Sequence, residues 1–212
     1  MTTQKSKTKS RGWLKWLGRL TGVGLAAAVS GASLFMIVFS VVYSQLPPID
    51  SLTEYKPKVP LRVWSADGTL IGEYGEERRD FVRLDEIPGF VRNAVLAAED
   101  NGFYEHSGIE FMGIARAALS NILTGRRGQG GSTITMQVAR NFFLSSERTY
   151  TRKLYEVAMA YKIERHLTKD QILEVYLNQI YLGQRAYGFA SAAQVYFGKK
   201  LNELTIGEAA TI

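Results

Sequence analysis

The sequence predicts a mainly α-helical domain preceded by one membrane-spanning helix and a small β-hairpin region. Three observations predict it. No charged residue occurs from Leu20 to Ile49. Two β-rich runs flank Asp67-Gly68 in "LRVWSADGTLIGEYG". Beyond Pro88, apolar residues recur at helical spacing in one segment after another. Of 212 residues, 46% are hydrophobic, so the part outside the apolar run has room for one domain with a core of its own.

Charge narrows the function classes. Residues 1–49 carry six basic side chains (Lys5, Lys7, Lys9, Arg11, Lys15, Arg19) and no acid, and the rest carries 20 of each sign. The net charge of +6 therefore belongs to the N-terminal tail, and nucleic-acid binding by the main domain loses its support. There is no cysteine, which excludes disulfides and thiolate metal sites.

Taken in order, residues 1–19 form a basic tail and 20–46 a transmembrane helix, with Trp13, Trp16 and Tyr43 placed as interfacial anchors. The basic flank predicts a cytoplasmic N-terminus and an exported remainder. The small residues of "AAAVSGA" would also suit a cleaved signal peptide, but the apolar run continues well past them. Pro47 and Pro48 stop the helix, and 47–60 reads as a linker. Residues 61–84 are the hairpin region, where Asp67-Gly68 is a hairpin turn and "FVRL" (81–84) suits a third strand. Residues 85–212 are the helical domain.

Its first helix is "GFVRNAVLAAED", with Val91, Ala94, Val95 and Ala98 on one face and Asn101-Gly102 as the stop. Glu99 falls in the last turn. A partly buried carboxylate at the negative end of a helix holds a proton more readily and makes a better general base. The alternative is an acidic helix end in solvent. "GIEFMGIARAALSNILTG" (108–125) has Arg116 as its one basic residue and is too short to span a bilayer, so it is either a core helix or an interfacial one. In "GRRGQGGSTITMQVARNFF" (125–143), glycines lead to Ser132 as N-cap, with Ile134, Val138 and Phe142 as the buried stripe and Thr133, Gln137 and Arg140 on another face. A glycine-rich loop feeding a helix suits an anion, or is simply a loop; no Gly-Lys-Ser/Thr follows, so it is not the nucleotide P-loop.

The helix "SERTYTRKLYEVAMAYKIERHL" (146–167) has Leu154, Val157, Ala158 and Tyr161 as its expected core face. Arg152 and Lys153 precede Glu156 at helical spacing, which by itself fits a solvent-exposed support. His166 reads as structural or exposed, and no second histidine lies at ligand spacing for zinc. "LTKDQILEVYLNQIYLG" (167–183) opens with a capping box, Thr168 to Gln171, and buries Ile172, Leu173, Tyr176, Leu177 and Ile180. "YGFASAAQVYFG" (187–198) is a helix stopped by Gly198, and "LTIGEAATI" opens with the capping box Thr205 to Glu208. The chain stops partway into that apolar segment, so it is expected to be the front part of a longer protein.

Four stretches in order, "EDNGFYEHSG" (99–108), "GGSTITMQ" (130–137), "RKLYE" (152–156) and "KDQILEVYLNQIYLGQRAYG" (169–188), resemble the motifs of the peptidoglycan glycosyltransferases, glycosyltransferase family 51, whose larger members are class A penicillin-binding proteins. The resemblance covers about residues 61–212 and implies a lysozyme-like helical fold. It implies polymerisation of lipid II into β-1,4-linked glycan strands with release of undecaprenyl pyrophosphate, at the inner membrane with the catalytic domain in the periplasm. By resemblance, Glu99 is the catalytic base and Glu156 the second glutamate, assisting the departing pyrophosphate through basic neighbours or a divalent cation (Mg or Mn). Arg152 and Lys153 lie near that pyrophosphate. Ser132, Thr133 and Gln137 are donor-site residues, and Arg116, Arg140 and Arg148 are phosphate contacts. Asp100, Phe103 and His106 shape the site. Lipid II, the growing strand, the membrane and cell-wall synthesis proteins are the implied partners, and segment 109–123 becomes an expected interfacial jaw.

Two carboxylates beside a sugar bond, with positive charge where a pyrophosphate leaves, are what such a transfer requires. A lysozyme-like lytic enzyme and a non-catalytic membrane-anchored scaffold are the competing readings. The family's fifth motif is expected beyond Ile212, so the 212-residue chain is expected to be weakly active or poorly folded alone.

Overall fold

Helix α1 (Gly12–Ser44) is a single uninterrupted element. Its stretch Gly18–Ser44, 27 residues with a mean hydropathy of 2.3, is long and apolar enough to cross a membrane. Phe35, Phe39 and Tyr43, four residues apart, stack along it. The computed structural model describes residues 12–53, 60–75, 77–125, 131–144 and 150–212. The basic residues Lys5, Lys7, Lys9 and Arg11 lie outside these, as do the side chains of Trp13 and Lys15. The chain forms two units, one ending at Gln45 and the other spanning Leu46–Ile212.

In the second unit the expected linker holds a short helix, α2 (Asp50–Thr53), with Ile49 and Leu52 buried. The predicted hairpin forms. Strands β1 (Leu61–Trp64) and β2 (Leu70–Tyr74) pair antiparallel, with Leu61 opposite Tyr74 and an irregularity at Val63/Trp64. Gly68 takes the left-handed conformation that closes the turn, φ 83°.

The third strand is not where the sequence suggests. Strand β3 is Arg78–Arg79, and it pairs in parallel with β4 (Ala186–Tyr187), far along the chain. Residues 81–83 form no strand, because side chains replace a ladder there. Asn178 accepts from the Val82 N–H at 2.9 Å and donates to the Val82 carbonyl at 2.8 Å. Ser191 takes the Asp80 N–H and Glu174 the Leu84 N–H. Leu84–Glu86 then forms a 3-10 turn.

The helical part follows as α3 (Gly89–Glu99), α4 (Phe111–Thr124), α5 (Ile134–Phe143), α6 (Tyr150–Glu164), α7 (Lys169–Gln179), α8 (Phe189–Phe197) and, after a 3-10 turn, α9 (Ile206–Ala209). Both predicted capping boxes form, at Thr168–Gln171 and Thr205–Glu208. Gly198 ends α8 in the left-handed conformation.

Helix α5 is the hub. It packs on α6 and α7, and Ile134, Thr135, Met136, Val138 and Ala139 have at most 1% exposure. Its N-cap is Thr133, whose hydroxyl accepts from the Met136 N–H, and not Ser132 as expected. The core face of α6 also differs from expectation. Ala158 is buried as expected, but so are Glu156, Met159, Ala160 and Ile163, while Tyr161 is 37% exposed and Leu154 and Val157 only half-buried. The buried stripe begins with an acid, so a pattern that keeps acids in solvent chooses the wrong register. Helix α4 is no core helix. Phe111, Met112, Leu119, Ile122 and Leu123 are exposed, Ile122 at 78%.

Candidate active site

Glu99 is the last residue of α3, and its side chain is exposed, not partly buried as the sequence suggested. Gln137, reaching from α5, donates to its Oε2 at 2.7 Å. The next residue, Asp100, turns inward and is buried. Its carboxylate accepts from His106 Nε2 at 2.9 Å and from the Ile134 N–H at 3.0 Å. His106 Nδ1 in turn accepts the Gly108 N–H, so the ring proton sits on Nε2. The Thr133 hydroxyl donates to the Gly108 carbonyl at 2.6 Å. Asp100 and His106 thereby fasten the turn after Glu99 onto the start of α5.

At the N-terminus of α5 the amide of Ile134 serves Asp100 and that of Met136 serves Thr133. Residues 126–130 of the glycine-rich loop lie outside the described residues, as does Arg148.

Glu156 is 1% exposed. Arg152 donates to its Oε1, and Lys153 to its Oε2 at 2.9 Å. Lys153 also donates to Ser132 Oγ at 2.7 Å. The exposed-support reading of this trio therefore fails, since its carboxylate is buried and holds two cations. With each oxygen held by a cation, Glu156 suits a role in holding charge. Among the described residues no group of three or more acids or histidines is placed to hold a metal.

A cleft of about 500 Å³ is lined by Glu99, Asp100, Arg116, Gly131, Ser132 and Thr133, among others. A second cavity of about 290 Å³ holds Gln137 and Tyr176, and Glu99 lines both. Arg116 is exposed and sits 3.8 Å from Glu110. Arg140 is half-buried near Tyr176. Phe103 lies fully buried and lines neither cavity. Burial and the neighbouring Glu99 push the Tyr176 phenol well above its usual range, with Arg140 opposing.

Tyr176 is buried, as its helical spacing predicts, and also lines the second cavity; the spacing does not single out Thr135, Glu164 or Asn178. One signal was available. In "TITMQ" polar and apolar residues alternate at the start of a helix, so burying that turn buries polar groups that then need partners.

The sequence has known relatives. The family model "Transglycosylase" matches residues 67–212, and the chain belongs to the transglycosylase family. Among individual proteins it is similar to penicillin-binding protein 1A of Neisseria gonorrhoeae, at 56% identity over 191 residues, 90% of this chain and 24% of that protein. It is also similar to penicillin-binding protein 1A of Escherichia coli (strain K12), at 51% identity over 182 residues, 86% of this chain and 21% of that protein. The chain thus spans about a quarter of the length of these relatives. A solved structure of penicillin-binding protein 1A from Haemophilus influenzae is 30% identical over 74% of this chain and 14% of its own, with a TM-score of 0.34.

Proposed function

We propose that the chain is a peptidoglycan glycosyltransferase, anchored by α1, that polymerises lipid II into β-1,4-linked glycan and releases undecaprenyl pyrophosphate. The observation that carries this reading is an exposed carboxylate and a tethered cation at one cleft: Glu99 lines it, and Lys153 is bonded to Ser132, which lines it too. Glu99 removes the proton from the acceptor's 4-hydroxyl as that oxygen attacks the anomeric carbon of the growing chain. The bond from that carbon to the pyrophosphate breaks, and the negative charge leaves with the phosphate. Lys153 and Arg152 stabilise that charge, held in place by Glu156 from beneath. Gln137 fixes the Glu99 carboxylate for its role, and Arg116, Ser132, Thr133, Arg140 and Arg148 bind the donor and its phosphates.

The substrate is lipid-borne, which accounts for two apolar surfaces on one protein. Helix α1 crosses the inner membrane with its N-terminus in the cytoplasm, and the exposed face of α4 lies in the outer interface. The test is incubation of labelled lipid II with a form of the protein that continues past Ile212. Long glycan products are expected, with Glu99→Gln lowering the rate by about 10²–10⁴-fold. Shortening of preformed glycan would support a lytic enzyme instead, and no reaction with either substrate a scaffold. Full activity in Glu99→Gln would refute the assignment of the base.

A further inference from the structure

We infer that Lys169 and Glu164 clamp the turn that carries the catalytic base, and so act as positioning residues for the transfer; this rests on the reading of Glu99 as that base. The turn 100–108 is gripped on one side by the start of α5, through Asp100 and Thr133. Its other side is gripped by charged residues with no place in the chemistry described above. Phe103 has 0% exposure, and Lys169 Nζ sits 4.3 Å from its ring centroid. Lys169 also donates to Glu164 Oε1 at 2.7 Å, and the Thr135 hydroxyl donates to the same oxygen at 2.6 Å.

One carboxylate oxygen thus joins α5, α6 and α7. The stem of Glu164 closes the far end of the turn, because a Cβ on Gly108 would come within 2.8 Å of Glu164 Cγ. A third contact follows one residue on, where the Tyr104 hydroxyl donates to Asp170 Oδ1 at 2.9 Å. Neither Lys169 nor Glu164 lines the cleft. Both act through Phe103 and Gly108.

The chemistry explains why charge is used here. An ammonium moved out of water needs a counter-ion, which Glu164 supplies, and gains from the negative face of an aromatic ring. An apolar residue at 169 would fill the space without fixing the ring's orientation. An ion held between a carboxylate and a ring face has one preferred position, which makes this contact a locator and not mere filler.

The experiment uses the intact protein in detergent, with Lys169→Met, Lys169→Arg and Glu164→Gln. Lys169→Met and Glu164→Gln are expected to lower kcat for glycan formation by about tenfold or more while KM stays within about twofold, the pattern of a misplaced catalytic group. Lys169→Arg keeps the charge and the ring contact and is expected to retain most of the rate. Amide hydrogen exchange across residues 103–108 supplies an arm independent of activity, and should quicken by about tenfold in Lys169→Met and Glu164→Gln but not in Lys169→Arg. Should Lys169→Met not fold, Glu164→Gln carries both readouts. If wild-type protein makes no glycan, the transferase reading fails and exchange alone decides the clamp. An active wild type with unchanged kcat in Lys169→Met and Glu164→Gln, or unchanged exchange in them, overturns it.

Discussion

Asp100 shows how one side chain sets the site. Its two N–H donors, from His106 and Ile134, are satisfied because a carboxylate only accepts. In Asp100→Asn the amide keeps one acceptor oxygen and turns N–H groups toward a donor, leaving a buried N–H unpaired at a cost of about 1–3 kcal/mol. Thermal unfolding should therefore fall by roughly 5 °C. Glu156 is a sharper case, because Glu156→Ala leaves Arg152 and Lys153 without their shared counter-ion. A loss of about 3 kcal/mol is expected by denaturant titration, with Glu156→Gln losing less. Tyr176 gives a pH test. Its folded pKa is raised by burial and by Glu99. Below the unfolded value of about 10 the phenol is neutral in both states, so its contribution is intact. Above that pH it ionises only when unfolded, and stability is lost as pH rises. Tyr176→Phe should remove this alkaline loss, and Glu99→Gln should let Tyr176 ionise at lower pH in an ultraviolet absorbance titration.

At the scale of elements, α4 exposes Phe111, Met112, Leu119, Ile122 and Leu123 and, among its described residues, buries only small ones such as Ala117. Exposed residues contribute little to folding, so Ile122→Lys with Leu123→Lys should change stability by no more than about 0.5 kcal/mol per site. Each apolar side chain buried in an interface gains about 1.5–3 kcal/mol, so in protein lacking residues 1–45 the same pair should weaken vesicle binding by well over tenfold in a flotation assay. Unchanged flotation would remove α4 from the membrane. Caps govern the ends of α7 and α9, and Thr168→Ala or Thr205→Ala should each cost about 1 kcal/mol. Gly188 marks a closer contact, with φ 82° and a would-be Cβ 2.9 Å from the Asn178 carbonyl oxygen. A side chain there would push apart the strand and helix that hold residues 78–84.

The whole molecule has two units, each with its own internal contacts. Deletion of residues 1–45 should leave the helical unit cooperatively folded by circular dichroism. Membrane association should weaken without vanishing, because the apolar face of α4 remains. Complete release into the aqueous phase would show that α1 alone binds the bilayer.

Local rules determined much of this protein from its residues alone. The apolar length of α1, the Asp67-Gly68 turn, the capping boxes and the Gly198 stop depend on neighbours within a few positions, and each formed as read. Glu99 was singled out by its place at a helix end and by the motif around it. The tertiary structure decided what those rules do not reach. Asp100 meets the Ile134 amide across 34 residues, and Asn178 meets Val82 across 96. The first contact fastens the turn after Glu99 to α5, and the second removed an expected strand. The buried face of α6 was hidden for a related reason, because an acid belongs in a core stripe only when cations meet it there. Which residues satisfy a buried polar group depends on what the fold brings beside it, and spacing along the chain carries no record of that.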